Sequence, residues 1–243
     1  MPLRDHFRSP LDEVHSWDEL HGMWPATIVR KLNDILPEPY FAAPAVHLGT
    51  LYEIDVGTYY DSPQDHLSSP ADGGGLAVVA DAPPQPTLTF EPQLPSQDTY
   101  EVRLFDSRRH RRLVAAIEIV SPSNKDRSET RGLFVAKVAA LLKHGICVSV
   151  VDVVSTSRTN LYDELMQFLA SHDARLGDDP PPMYALTIRP RPEGGRRLMD
   201  SWYHPLEIGH ALPTLPVWFR ESSAVLLDLE ATYEDTCRAL RIR

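Results

Sequence analysis

One acidic residue inside an apolar run constrains this chain more than any other feature. From Leu113 to Asp152 it reads LVAAIEIVSPSNKDRSETRGLFVAKVAALLKHGICVSVVD. The order is strand, turn, helix, strand, and the first strand carries Glu118 among alanine, isoleucine and valine. Side chains alternate across a strand, so Ala115, Ile117 and Ile119 share one face and Ala116, Glu118 and Val120 the other. A carboxylate in the middle of a central strand is costly unless a charge meets it. The next helix offers one. At ~100° per residue, Leu133, Phe134, Val138, Leu141 and Leu142 form an apolar arc that includes Lys137 and leaves Lys143 toward solvent. The spacing predicts a Lys137 ammonium beside the Glu118 carboxylate. The expected core is a mixed sheet with the Glu118 strand inside it, flanked by this helix and by an earlier one.

That earlier helix opens at Ser16 and Glu19, an S-x-x-E capping box, and runs to about Leu36. Trp17, Leu20, Trp24, Ile28, Leu32 and Ile35 form its stripe. Pro25 predicts a kink or two shorter helices, and Pro37 and Pro39 end the run. Val46–Tyr60 is strand-like, with Tyr52, Ile54 and Val56 on one face and Glu53 and Asp55 on the other. Two acids on one strand face repel unless a cation or solvent relieves them.

Asp61–Asp98 is a proline-rich insertion with short strands at Leu76–Ala80 and Thr87–Phe90. Tyr100–Phe105 and Leu113–Val120 read as a hairpin joined by Asp106–Arg112. That loop gathers Arg108, Arg109, Arg111 and Arg112, either a phosphate contact or a solvated loop paired with carboxylates. Beyond residue 154 the sequence predicts a helix over Leu161–Ser171, a strand over Met183–Arg189, a turn at Glu193-Gly194-Gly195 and a final helix from about Ala231 to Leu240. The division expected is a core over 1–154, holding an insertion at 61–99, and an extension over 155–243 packed on it.

A composition 42% hydrophobic and 24% charged is that of a globular chain. No apolar run approaches the ~20 residues of a membrane span, and the first residues lack the apolar segment of a secretory signal, so the expected location is cytoplasmic. Cys147 and Cys237 read as two reduced, buried thiols. A net charge of −10 argues against broad affinity for nucleic acid but leaves room for a local basic patch. No G-x-S-x-G elbow, zinc-ligand spacing, P-loop or dinucleotide fingerprint occurs.

The order helix, Asp-bearing strand, hairpin strand, Glu-bearing strand, helix with inward lysine, strand resembles the core of the PD-(D/E)XK nuclease superfamily. In place of that motif's lysine, two residues after Glu118, stands Val120. Some branches carry the lysine on the next helix, as Lys137 does here. One bacterial restriction-endonuclease-like group resembles the chain at Glu118, Ser121-Pro122-Ser123, Lys137, Gly145 and Val151-Asp152. A bacterial family of unknown function marked by I-E-x-x-S-P-x-N-K is similar at Ile117–Lys125, at Glu53–Val56 and at Asp228–Glu234. The resemblance implies an α/β, restriction-endonuclease-like core in which Asp55, Glu118 and the Ile119 carbonyl bind Mg²⁺ or Mn²⁺. It implies Lys137 as the catalytic lysine, with Lys125 its rival, Glu53 an auxiliary acid and nucleic acid the partner. Ser121 and Asn124, around Pro122, read as turn-shaping residues. Two functions stand open: a metal-dependent nuclease or phosphodiesterase, and a non-catalytic binding or structural module in which Glu118 and Lys137 form a buried ion pair.

Overall fold

Ser16 caps the first helix, α1 (Trp17–Ile35), by accepting the Glu19 backbone N–H on its hydroxyl at 3.4 Å, while the Glu19 carboxylate pairs with His15 Nδ1 at 3.0 Å. The computed structural model describes residues 2–44, 56–61, 85–90 and 111–243, with backbone alone for 44, 56–61 and 111. Pro25 lies inside one continuous helix, so of the two outcomes expected, a kink or two shorter helices, the division does not occur. Leu20, Trp24, Ile28 and Leu32 are buried at the spacing the stripe requires.

The strands are β1 (Tyr40–Pro44), β2 (Val56–Asp61), β3 (Leu88–Phe90), β4 (Arg111–Ile119), β5 (Cys147–Asp152), β6 (Tyr184–Glu193), β7 (Arg196–Pro205), β8 (Thr214–Arg220) and β9 (Ser223–Asp228). Between β4 and β5 come α2 (Pro122–Asp126) and α3 (Ser128–Lys143); α4 (Leu161–Phe168) follows β5 and α5 (Leu229–Ala239) follows β9. Among the described residues, the main sheet runs β1-β2-β4-β5-β6-β7-β3, and β8-β9 form a separate hairpin. β4 and β5 are parallel and the other described pairs antiparallel, so the protein is α/β with a mixed sheet and the Glu118 strand in its interior. The residues after 154 contribute β6 and β7 to this same sheet.

Burial follows the alternation read from β4. Ala115, Ile117 and Ile119 join the core formed with α1, β8, β9 and α5, whereas Ala116 and Val120 join the core formed with α3 and α4. The β6–β7 turn is Gly194-Gly195, both at positive φ, as a two-residue hairpin of this twist demands. Some elements depart from expectation. β1 and β7 form where no strand was predicted. Arg111 and Arg112 begin β4 instead of sitting in a hairpin loop, because pairing with Asp61 and Tyr60 extends the strand to them. In keeping with expectation, Val56–Asp61 is a strand, and Leu88–Phe90 from the insertion is a strand paired with β7. Glu53, Asp55, Val46–Asp55 as a whole, Leu76–Ala80, Tyr100–Phe105, Arg108 and Arg109 lie outside the described residues. No described helix is long and apolar enough to cross a membrane.

The segment before α1 is bound to α5. The Leu3 N–H donates to the His210 carbonyl at 2.8 Å, and Arg4 Nη1 pairs with Glu234 at 2.8 Å. Tyr233 Oη accepts the Arg4 N–H at 3.0 Å and lies 2.7 Å from Nε2 of buried His6, so its own proton is placed to go to that nitrogen. Burial, and then the Arg4 charge, push the His6 pKa down from 6.5 to about 4. A depressed value means a neutral native imidazole and an unfolded chain that takes up the proton first. The stability from this group is present above about 6.5 and is lost as pH falls toward 4. In urea unfolding at pH 7, 5 and 4, the stability difference between wild type and His6→Gln should fall by roughly 2–3 kcal/mol, which separates His6 from groups such as Asp152 that titrate in the opposite sense. A difference that stays constant across the three pH values would clear His6 of the effect.

Candidate functional site

Glu118 and Lys137 meet. Strand alternation turns Glu118 onto the α3 face of the sheet, and the apolar arc of α3 turns Lys137 back toward it. Lys137 Nζ donates to Glu118 Oε2 at 2.8 Å, with the two side chains 10% and 4% exposed. Lys143, outside the arc, is only partly buried. α3 ends in a Schellman arrangement: the Gly145 N–H reaches the Leu142 carbonyl at 3.0 Å, and the Ile146 N–H reaches Leu141 at 3.1 Å. Gly145 takes φ of +80° there, which only glycine adopts without strain. That reversal feeds the chain directly into β5.

A second acid–lysine pair lies on the same face. In the parallel register Glu118 is opposite Val150, so Asp152 shares the parity of Val148 and Val150 and faces the α2–α3 segment. Asp152 Oδ2 accepts from Lys125 Nζ at 2.8 Å, with both side chains fully buried. Lys125 also donates to the Pro182 carbonyl at 2.8 Å, and Asp152 Oδ1 accepts the Val154 N–H at 3.1 Å. Burial pushes the Asp152 carboxyl up to about 7, with Lys125 and the Val154 amide opposing it. The geometry therefore brings Lys137 to Glu118 and gives Lys125 to Asp152.

Ser121 and Asn124 shape the turn that delivers Lys125. The Asn124 side-chain carbonyl accepts the Ser121 backbone N–H at 2.9 Å, and the Asn124 N–H donates to the Ser121 carbonyl at 3.0 Å. Pro122 stands at the first helical position, where its missing N–H costs nothing. Beyond the carboxyl ends of β4 and β5, an open cleft of about 430 Å³ is bounded by Ser123, Lys125, Asp126, Thr156 and Ser157. The Ile119 carbonyl, an expected metal ligand, lies 3.1 Å from His21 Nε2 on α1. Asp55, the expected partner acid, is outside the described residues.

The Lys125–Asp152 pair is what sequence reasoning missed. N-K and V-D were each recognised as motif elements, and both fall just past or at the ends of adjacent parallel strands. That shared position was the signal that they could be partners. Among the described residues no group of three or more His, Cys, Asp or Glu side chains could hold a metal ion. No family model, curated protein or solved structure matches this chain.

Proposed function

We propose that the chain is a restriction-endonuclease-like protein whose Glu118–Lys137 pair belongs to a site for metal-dependent hydrolysis of a phosphodiester, with nucleic acid as the substrate class. The observation that carries this reading is the 2.8 Å bond between a central-strand carboxylate and a lysine from the next helix. Their charges sit on rigid elements, as electrostatic catalysis of phosphoryl chemistry requires. The fit of a metal turns on Asp55, since Glu118 alone supplies one hard oxygen donor and the Ile119 carbonyl is engaged with His21. Asp55, Glu118 and the Ile119 carbonyl would hold Mg²⁺ or Mn²⁺, which would supply Lewis acidity toward a phosphoryl oxygen and an activated water. Lys137 would place its ammonium beside the phosphate, and Glu118 would orient it.

A second reading, a non-catalytic binding or structural module, is favoured by the burial of the same pair. A carboxylate and an ammonium this well enclosed already compensate each other without a metal.

Manganese titration separates the two. On the hydrolase reading, Mn²⁺ raises the melting temperature, corresponding to about 2.7 kcal/mol at a hundredfold excess over Kd, and Glu118→Gln abolishes the rise while still unfolding cooperatively. The titration is repeated with a short oligonucleotide, whose phosphate could complete the coordination shell. A wild-type protein that shows neither a shift nor calorimetric binding in either titration would eliminate the hydrolase reading and leave the module.

A further inference from the structure

At the opposite end of β4 from Glu118, five arginines converge on one cleft. Arg112 lies six residues from Glu118 along the strand, about 20 Å at 3.3 Å per residue. The cleft has a volume of about 520 Å³, and among the described residues Arg112, Arg189, Arg191, Arg197 and Arg220 line it together with one acid, Glu221. Several of these guanidiniums are held in place. Arg189 lies 3.9 Å over the Trp218 ring, and its Nε is buried without a hydrogen-bond partner among the described residues. Arg191 Nε forks onto both oxygens of Asp200 at 2.9 and 3.1 Å, and its Nη1 reaches Glu193 at 2.9 Å. Arg197 donates to the Lys143 carbonyl and Arg220 to the Tyr40 hydroxyl. Arg112 and Arg220 are exposed at the mouth.

This concentration stands out in a chain of net charge −10. Even with Asp200 and Glu193 counted against it, the cleft keeps an excess of guanidinium. Like charges brought together are costly unless an anion compensates them. Planar forks with fixed positions suit phosphate, which accepts two parallel N–H bonds from each. Trp218, Phe219 and Tyr40 back the cleft but are themselves buried, so they support the arginines without offering open rings for stacked bases. The volume is that of a small-molecule site. The geometry points to a binding site for a compact ligand carrying two or more phosphate groups, separate from the Glu118–Lys137 pair and independent of whether that pair is catalytic.

Isothermal calorimetry at 0.15 M salt tests this with tripolyphosphate as probe, citrate as a carboxylate control and a single-stranded oligonucleotide as the macromolecular alternative. Tripolyphosphate should bind at sub-millimolar concentration and citrate at least tenfold more weakly. Arg112→Ala and Arg220→Ala, both at exposed positions, should each weaken tripolyphosphate at least tenfold with unchanged melting temperature. Arg112→Lys, which keeps the charge and loses the fork, should fall between wild type and Arg112→Ala. Glu118→Gln should bind tripolyphosphate as wild type does. Absence of binding, equal binding of citrate, or indifference to both arginine variants would overturn the assignment. An oligonucleotide that binds more tightly than tripolyphosphate and is lost in the same variants would overturn the compact ligand in favour of a nucleic-acid strand.

Discussion

Lys125→Met should cost about 3–5 kcal/mol of stability, and adding Asp152→Leu should restore most of it. The single change leaves a fully buried carboxylate with the Val154 N–H as its remaining hydrogen-bond donor among the described residues. The double change replaces two enclosed charges with apolar volume, which is often neutral or stabilising. The defect should also depend on pH. The native Asp152 pKa is raised from 3.8 to about 7, so its favourable contribution is complete below about 3.8 and is lost as pH rises through 7. Without Lys125 the carboxyl is pushed higher still, so Lys125→Met should lose less at pH 5 than at pH 8. Urea unfolding of the wild type, the two single variants and the double variant at both pH values completes the cycle. A single-variant loss under ~1 kcal/mol with no recovery in the double variant would mean that the pair does not secure this turn.

Trp24→Ala should be of similar size, about 3–5 kcal/mol, from lost burial and the cavity left behind. Trp24 is fully buried on α1 and stands edge-on to Tyr233 of α5, with ring centroids 5.3 Å apart. Its Nε1 donates to the Thr232 hydroxyl at 3.0 Å, which passes its own proton to the Leu229 carbonyl at 3.0 Å. Trp24→Phe keeps most of the volume and breaks that relay, so a loss of roughly 1–2 kcal/mol is expected. Hydrogen exchange should show the amides of α5 losing protection together with those of α1 in Trp24→Ala. Unchanged α5 protection would mean that the two helices are stabilised separately.

The central unit was legible because its chemistry is local. Period-two alternation placed Glu118 on one face of β4, period-3.6 spacing placed Lys137 on the facing side of α3, and both rules act within one run of sequence. Ser16 and the Gly194-Gly195 turn announced themselves for the same reason: each satisfies or reverses its own backbone. β1 was hidden because Tyr40–Pro44 follows two prolines and has too few residues to show a period; its strand character comes from pairing with β2. β7 was hidden because polar positions such as Asp200 and Ser201 obscure alternation, and their neutralising partners, Arg191 and Tyr162, come from other elements. The Lys125–Asp152 bond spans 27 positions and exists only once β4 and β5 run in parallel. The arginine cleft was still less visible: part of it could be glimpsed at Arg112, but its other arginines come from β6, β7 and β8.

The bond from Trp24 to Thr232 spans 208 positions, and this has a consequence for the order in which the protein is made. At 5–20 residues per second, about 10–40 s of synthesis separate the emergence of α1 from that of α5. Throughout that interval the part of the α1 apolar face that meets Trp24's partners has nothing native to cover it. The segment around Leu3 to His6 waits equally, since His210, Tyr233 and Glu234 are its anchors. Contacts of such long sequence separation also slow refolding of the finished chain, because the loop between them must close before they form. A nascent chain halted before residue 229 should therefore be the species most readily held by chaperones and most prone to aggregate, with its earliest helix the exposed element.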